Sequence, residues 1–202
     1  EVAHPLLGEA DVVEIARGQG YLVYEELRRL DRVVKGFLEF SRPEEIELEQ
    51  LEIDAVLRGA IGRVRPLTEE KGVALDFEVQ PPLPTIVANS HLLEQAFVNL
   101  LKNSYEATPP GGTVAVELSV AKDQVAVAIS DSGTGIPTEL LERVFEPFFT
   151  TKGHGSGLGL TLCAGIAQSH GARLRAAHRS GGGTVFTLDI PLHVTAPTSV
   201  SA

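Results

Sequence analysis

The sequence predicts an α+β fold, a two-layer α/β sandwich with helices on one face of a sheet, preceded by a helical hairpin segment. Short runs of alternating apolar residues occur in pairs joined by turns, with amphipathic helical patterns between the pairs. The Arg42-Pro43 step separates this part from an N-terminal region with heptad spacing, because a proline disfavours helical geometry at the residue before it. We therefore expect a domain boundary at residue 43.

The composition is that of a globular protein with an excess of acidic residues. The 202 residues are 43% hydrophobic and 22% charged, and the formal net charge is −10. This charge disfavours nucleic acid and anionic membranes as partners, and no apolar run is long enough to predict a membrane span. Cys163 is the only cysteine, so a reducing, cytoplasmic compartment fits. The chain does not begin with methionine, which suggests a piece of a longer protein whose upstream segments could tether it to a membrane.

The N-terminal region, residues 1–43, predicts helices that pack against other helices. Residues 21 to about 41 form the clearest case, because their apolar positions recur in alternating steps of four and three. These positions are Val23, Leu27, Leu30, Val34 and Phe37. Residues 1–16 are helical in a less regular way, and the glycines at 18 and 20 suit a turn between two antiparallel helices.

Residues 44–193 predict alternating strands and helices that end at strong stop signals. Gly72 ends one helix, and Pro109-Pro110-Gly111-Gly112 follows another. The expected order is strand 47–53, helix 54–71, strands 73–79 and 86–87, helix 90–107, the strand pair 113–120 and 124–129, a short helix 138–144, helix 158–169, and the strand pair 173–177 and 184–190. Residues 194–202 are small and polar and predict a disordered tail.

A polar stripe runs along one edge of the predicted helix 90–107. Gln95, Asn99, Asn103 and Glu106 fall at i, i+4, i+8 and i+11, on the same edge of the helix. Asparagine is a mediocre helix former, so two of them one turn apart need an explanation. Either this edge is simply solvated, or the amide oxygens approach a hard cation that is already held by phosphate oxygens.

Asp131 follows an apolar run that predicts a buried strand, and two glycines come directly after it. A carboxylate in that position can accept a hydrogen bond from an exocyclic amine, while Gly133 and Gly135 let a flat base approach the backbone. The alternative is a turn, since Asp-Ser-Gly is good turn chemistry. The two interpretations are compatible.

The glycines at 153, 155, 157 and 159 directly precede a predicted helix. Such a loop offers free backbone N–H groups and the positive end of a helix dipole, which together form an anion site. The spacing fits neither the dinucleotide pattern G-x-G-x-x-G nor a P-loop. Lys152 is within sequence reach of a bound phosphate, and the phenylalanines at 145, 148 and 149 are placed to pack a lid.

Taken in order, these segments resemble the catalytic domain of sensor histidine kinases, in the superfamily that also contains DNA gyrase and MutL ATPases. Residues 99–103 match the N box of that family, 131–135 its G1 box, 145–149 its F box and 155–160 its G2 box. Residues 182–186 are similar to the family's closing strand. The resemblance covers residues 44–192, implies the Bergerat ATP-binding fold, and is strongest to kinases of the nitrogen-regulation and PAS-linked type.

The resemblance implies ATP and Mg²⁺ as ligands and gives each motif a role. Asn103 would coordinate Mg²⁺ with help from Asn99, and Asp131 would bind the adenine amine. Gly133 and Gly135 would line the base, and Thr184 would support the adenine site. The phosphates would be contacted by the segment that contains Gly155, Gly157, Leu158 and Gly159, with Lys152 beside it.

The resemblance implies transfer of the γ-phosphoryl to a histidine and then to an aspartate of a response regulator, in a homodimer formed through the N-terminal helices. Asn99 favours this over hydrolysis, because ATP-hydrolysing relatives have a glutamate base there and an amide cannot take a proton from water. A non-catalytic nucleotide-binding scaffold and an ATPase of the same superfamily remain as alternatives.

The acceptor histidine of the family is missing from its expected sequence context. His4 directly precedes a proline, lacks the adjacent acid, and lies too near the second helix. The acceptor is therefore truncated, deleted or lost. The other histidines are expected at caps, in loops or on the surface; they are His91, His154, His170, His178 and His193.

Overall fold

The structure is a computed structural model that describes residues 47–121, 123–152 and 156–192. The expectations for residues 1–43 and 194–202 lie outside the described residues, so the predicted boundary at residue 43 stays a prediction. Within the described residues there are two sheets and three α-helices. None of these helices combines the length and the apolar character that crossing a bilayer requires.

A mixed five-stranded sheet forms one layer of the domain. Its strands are β2 (Ala74–Val79), β4 (Thr113–Ala121), β5 (Gln124–Asp131), β6 (Arg173–His178) and β7 (Thr184–Pro191), in the spatial order β2-β4-β5-β7-β6. The pairs β4–β5 and β6–β7 are the two predicted hairpins, and β5 pairs with β7 in antiparallel fashion. The α+β class expected from the sequence is confirmed.

Three helices cover one face of this sheet. They are α1 (Ile53–Lys71), α2 (Ser90–Ala107) and α3 (Gly159–Ser169). Helix α2 lies in the middle and contacts both of the others. Its buried face contributes large side chains that are fully enclosed, among them Phe97, Leu93, Leu100 and Leu101. Enclosing each of these contributes about 1.5–3 kcal/mol to folding, so α2 is the helix that anchors the layer.

The structure differs from the expected elements in three places. Strand β2 pairs with β4 in parallel, a contact between distant segments that no local turn signal reports. Strand β1 (Glu49–Leu51) is shorter than expected and forms a separate two-stranded sheet with β3 (Ile86–Ala88). The expected helix 138–144 is instead two 3-10 turns, Thr138–Leu140 and Arg143–Phe145, because so short a segment between prolines cannot offset the cost of helix nucleation.

Helix α2 begins and ends at side chains that satisfy its free backbone groups. At the start, the Asn89 side-chain oxygen accepts a hydrogen bond from the Leu92 N–H at 2.9 Å. At the end, the Thr108 hydroxyl donates to the Ser104 carbonyl at 2.7 Å. Lys71, the last residue of α1, donates to the carbonyls of Tyr105 and Glu106 at 3.0 and 3.1 Å. The position of α2 is therefore fixed at both ends.

His170 ends α3 and connects it to the start of α2. It is a cap residue, as expected, but it is also fully buried. Its Nε2 accepts a hydrogen bond from the Asn89 N–H at 3.0 Å, and its Nδ1 lies 2.8 Å from the Ile166 carbonyl oxygen. A backbone N–H can only donate, so Nε2 carries no proton and the ring is neutral with its proton on Nδ1. Burial also lowers the pKa of His170.

We predict that this histidine gives the domain a pH-dependent stability. The folded pKa lies below the ordinary value of 6.5, so the unfolded chain binds the proton first as the pH falls. Stability is therefore full above pH 6.5 and is lost below it, by up to about 1.4 kcal/mol per pH unit. Urea denaturation at intervals between pH 7.5 and 5.5 measures this loss.

The comparison is with His170→Gln, and with His91→Gln, which changes an exposed histidine near the start of α2. Wild type and His170→Gln share every other titrating group, so the difference between their two curves isolates His170. His91→Gln should follow the wild type, whereas His170→Gln should be less stable overall and lose the decline below pH 6.5. Parallel curves for wild type and His170→Gln would contradict the assignment.

Candidate functional site

The candidate site is built around a carboxylate at the inner end of β5. Along this strand the inward positions are Val125, Val127, Ile129 and Asp131, and the residues between them are small. The alternation of a strand therefore carries the Asp131 side chain to the same face as three core residues, between the sheet and the helices. Asp131 is 1% exposed.

Two backbone N–H groups hold the buried carboxylate. Gly133 N donates to Asp131 Oδ1 at 2.9 Å, and Thr184 N donates to the same oxygen at 3.3 Å. Both bonds end on Oδ1, so Oδ2 takes part in neither of them. Burial raises the pKa of Asp131. The two N–H groups and the nearby charges of Arg179 and Lys152 act in the opposite direction and favour the ionised form.

Two glycines let other chain segments approach this carboxylate more closely than any side chain would allow. A Cβ on Gly133 would lie under 3.0 Å from the Ala107 carbonyl oxygen at the end of α2. A Cβ on Gly183 would lie under 3.0 Å from the Asp131 carbonyl oxygen, and Gly183 has a φ of +98°. Gly135, with a φ of +74°, lies against the Gly183 backbone. Backbone therefore packs closely around Asp131 in a glycine-lined region, the slot.

Asn99 and Asn103 converge on the start of α3. The Asn99 Oδ1 and the Asn103 Nδ2 each lie 4.0 Å from the point where a Cβ on Gly159 would be. Both side chains are half-buried. Gly159 is the first residue of α3, so the two amides and the positive end of this helix face one another across a small space.

The start of α3 leaves backbone donors available. Leu158 precedes the helix and provides no side-chain cap, so the N–H groups of the first turn are not satisfied by a capping side chain. Gly157 has a φ of +68° and packs so closely on the Phe148 backbone that a Cβ there would overlap it. Phe148 itself has a φ of +64° and is 58% exposed, a strained conformation for a residue with a side chain. The start of α3 is thus packed directly on the segment 145–149.

Lys152, which the sequence places within reach of a bound phosphate, forms an ion pair in the structure. Its Nζ lies 2.5 Å from Glu106 Oε2 on the last turn of α2. Glu106 belongs to the predicted polar stripe, and its partner is 46 residues away, so only the fold brings them together. The pair lies at the same end of α2 as Asn103.

The structure thus brings most of the predicted residues into one region. Asp131, Gly133, Gly135 and Thr184 form the slot, and Thr184 contributes through its backbone rather than its side chain. Asn99, Asn103, Gly157, Leu158 and Gly159 surround the start of α3. Gly155 lies outside the described residues. Gly183 was missed as a site residue, although the glycine run 181–183 was the available signal.

A metal would find no ready-made carboxylate site in this region. Among the described residues, no group of three or more His, Cys, Asp or Glu side chains could hold an ion. The two converging amides suit a hard cation that brings further oxygen ligands with it, such as one bound to phosphates. The residues present therefore fit Mg²⁺ as a companion of an anionic ligand rather than as a permanent structural ion.

Comparison with known proteins identifies the family to which this arrangement belongs. Residues 88–194 match the family described as histidine kinase-, DNA gyrase B- and HSP90-like ATPases. The matched span includes every residue of the site described above. The sensor histidine kinase ZraS of Escherichia coli (strain K12) is 32% identical over 171 residues, which are 85% of this chain and 37% of ZraS. The chain thus spans little more than a third of this relative.

Solved structures agree with the sequence match. The catalytic domain of the histidine kinase ThkA superposes with a TM-score of 0.68 at 30% identity, covering 72% of this chain and 96% of that domain. ThkA in complex with the response regulator protein TrrA superposes with a TM-score of 0.73 at 29% identity, covering 85% of this chain and 50% of that one. The fold around the slot is therefore that of a histidine kinase catalytic domain.

The close contact at Gly183 gives a prediction with a matched control. Gly181 and Gly183 both have positive φ, of 88° and 98°, but a Cβ on Gly181 would meet nothing within 4 Å. We expect Gly181→Ala to cost about 1 kcal/mol from backbone strain alone. Gly183→Ala should cost at least about 2 kcal/mol more, because the Asp131 carbonyl must move. Urea denaturation of both variants measures the difference, and equal costs would refute the close packing.

Proposed function

The chain belongs to the family of histidine kinase-, DNA gyrase B- and HSP90-like ATPases, and from this we propose that it binds Mg²⁺-ATP and transfers the γ-phosphoryl to a histidine. It would act as the catalytic, ATP-binding part of a protein-histidine kinase. The observation that carries the proposal is the buried Asp131 carboxylate, whose Oδ1 accepts two backbone N–H groups while Oδ2 takes part in neither bond, in a region lined by glycine backbone.

Asp131 Oδ2 would accept a hydrogen bond from the exocyclic amine of adenine. The buried setting strengthens this bond, because little water competes for the carboxylate. Gly133, Gly135 and Gly183 would lie along the flat base, since none of them carries a side chain that blocks the slot. Guanine has no amine at the corresponding position, so the same carboxylate would discriminate against it.

The phosphates would lie at the start of α3. The N–H groups of its first turn, which the Leu158 side chain does not cap, and the helix dipole would both favour an anion there, and Lys152 would add a mobile positive charge. Asn103, with Asn99, would hold Mg²⁺ through amide oxygens while phosphate oxygens complete its ligands, which requires the Asn103 amide to turn so that Oδ1 replaces the Nδ2 that lies toward Gly159. When bound, Mg²⁺ supplies neutralisation of the charge on the transferring phosphoryl group.

Two observations favour phosphoryl transfer over hydrolysis. Asn99 occupies the place where hydrolysing relatives have a general base, and an amide cannot take up the proton of a water. Glu106 is the nearest carboxylate on the same edge of α2, and it is engaged with Lys152. A histidine imidazole is already a nucleophile, so the chain needs only to orient the nucleotide and neutralise its charge.

The phosphoryl group would then pass to an aspartate of a response regulator. ThkA, which superposes over most of this chain, has been solved with such a partner. The N-terminal helices would form a homodimer, and the kinase would work in the cytoplasm. The acceptor would be a histidine other than His4, because His4 lacks the sequence context of an acceptor.

Incubation with γ-labelled ATP and a separately supplied acceptor hairpin tests the proposal. Acid-labile label on the hairpin, or on this chain, is the expected result, because phosphohistidine hydrolyses in acid. Release of free phosphate instead would identify an ATPase. Binding of ATP with neither product would identify a scaffold.

Asp131→Asn should abolish adenine nucleotide binding without unfolding the domain. The asparagine oxygen can still accept the N–H groups of Gly133 and Thr184, which places its NH₂ group where it meets the adenine amine, donor against donor. We expect at least about a 100-fold loss of affinity by calorimetry. Asp123→Asn, at the exposed turn before β5, is the matched control and should bind normally. Near-normal affinity of Asp131→Asn would overturn the assignment of the slot.

A further inference from the structure

We propose that Glu106 is a positioning residue that sets the affinity for the nucleotide's phosphates, by holding Lys152 in the free protein and releasing it when phosphate is bound. This inference rests on the proposed binding of ATP. It adds that the Glu106 carboxylate competes with the phosphates for Lys152. Glu106 would thus favour dissociation of phosphorylated nucleotides while leaving recognition of the base unaffected.

The pair is close, accessible and locally organised. Lys152 Nζ lies 2.5 Å from Glu106 Oε2, and the two side chains are 44% and 47% exposed. The Lys152 N–H donates to the Thr150 hydroxyl oxygen at 3.1 Å, so a small turn orients the residue toward α2. Half-exposed pairs contribute little net free energy, so this one can be exchanged for a stronger partner without a large cost.

Of the two partners, Glu106 is the fixed one. Its backbone carbonyl accepts a hydrogen bond from Lys71 Nζ at 3.1 Å, and the same ammonium group bonds the Tyr105 carbonyl and lies 4.8 Å from the Tyr105 ring centroid. The last turn of α2 is therefore tied to the end of α1. A carboxylate on this fixed turn meets a lysine at the end of a long, flexible side chain, so Lys152 is the partner that moves.

The pair lies beside the nucleotide site. Glu106 follows Asn103 by three residues, so both side chains leave the same edge of α2 less than one turn apart. The charge of Lys152 also reaches the slot, since it helps to lower the pKa of the Asp131 carboxyl against the effect of burial. A lysine in this position can reach either the Glu106 carboxylate or an anion near the start of α3.

Simultaneous contact with both anions is unfavourable. A phosphate oxygen bound to Lys152 Nζ would lie within a few ångströms of the Glu106 carboxylate on the same ammonium group, and like charges at that distance repel. The phosphates carry more charge than one carboxylate and are also held by the start of α3. Lys152 would therefore change partners on binding, and part of the binding free energy would be used to break the ion pair.

The test compares ATP with adenosine on the full 202-residue chain. Glu106→Gln should bind ATP about two- to fivefold more tightly than wild type, the range expected for an exposed ion pair. Lys152→Gln should bind ATP more weakly. In the double variant the gain from Glu106→Gln should disappear, because there is no lysine left to release. Adenosine, which has no phosphate, should gain no affinity from Glu106→Gln, with or without Lys152. Calorimetry or displacement of a fluorescent nucleotide gives these affinities.

Glu94→Gln is the matched control, since it removes the same charge from the same helix and also breaks an ion pair, with Arg63 at 3.0 Å. It lies twelve residues earlier, about 18 Å along the helix, and should leave ATP affinity unchanged. Four outcomes overturn the inference: weaker or unchanged ATP binding by Glu106→Gln, a gain that persists without Lys152, an equal gain for adenosine, or an equal gain from Glu94→Gln. If wild type binds neither ATP nor adenosine, the proposed function fails as well.

Discussion

The two hydrogen bonds that converge on Asp131 Oδ1 are the interaction on which the site depends. They come from Gly133, immediately beyond β5, and from Thr184, at the start of β7, so one buried oxygen joins the ends of two adjacent strands. An unpaired buried carboxylate would be costly, and these two donors are what make its position tolerable. Because both bonds use the same oxygen, the second one is presented in a fixed direction. Under the proposed function, structural and functional demands would be divided between the two oxygens of one side chain.

Helix α2 provides the other fixed reference of the site. It carries the polar edge with Asn99 and Asn103, and it is anchored by enclosed apolar residues on its opposite face and by side chains at both ends. Its final carbonyl groups touch Gly133 so closely that only hydrogen fits between them. The positions of the Asn99 and Asn103 amides and of the Asp131 carboxylate therefore all depend on the position of α2. A displacement of α2 would disturb both the amide pair and the surroundings of Asp131. The hydrogen bonds at the two ends of α2 oppose such a displacement.

The structure could be predicted from the sequence wherever neighbouring residues determine it. The bounds of α2 agree with the predicted ones, since the prolines at 109 and 110 mark where the helix ends, and the inward position of Asp131 follows from strand alternation. It was insufficient where partners are distant in sequence. The parallel pairing of β2 with β4, the burial of His170 and the partner of Lys152 all join segments that only the folded chain brings together. The role of Gly183 was overlooked because a glycine run first suggests a turn, and only its contact with the Asp131 backbone reveals the spatial requirement.

The single thiol has a practical consequence. Cys163 is fully enclosed between α3 and α2, its Sγ lies 3.5 Å from the Ala96 carbonyl oxygen, and burial raises its pKa to about 12. At neutral pH almost none of it is thiolate, the form that reacts with alkylating reagents. Cys163 should therefore react very little with thiol-directed labelling reagents. A cysteine introduced at the surface would be the only residue to take up a spin label or fluorophore, so distances within the domain can be followed without first removing the natural one.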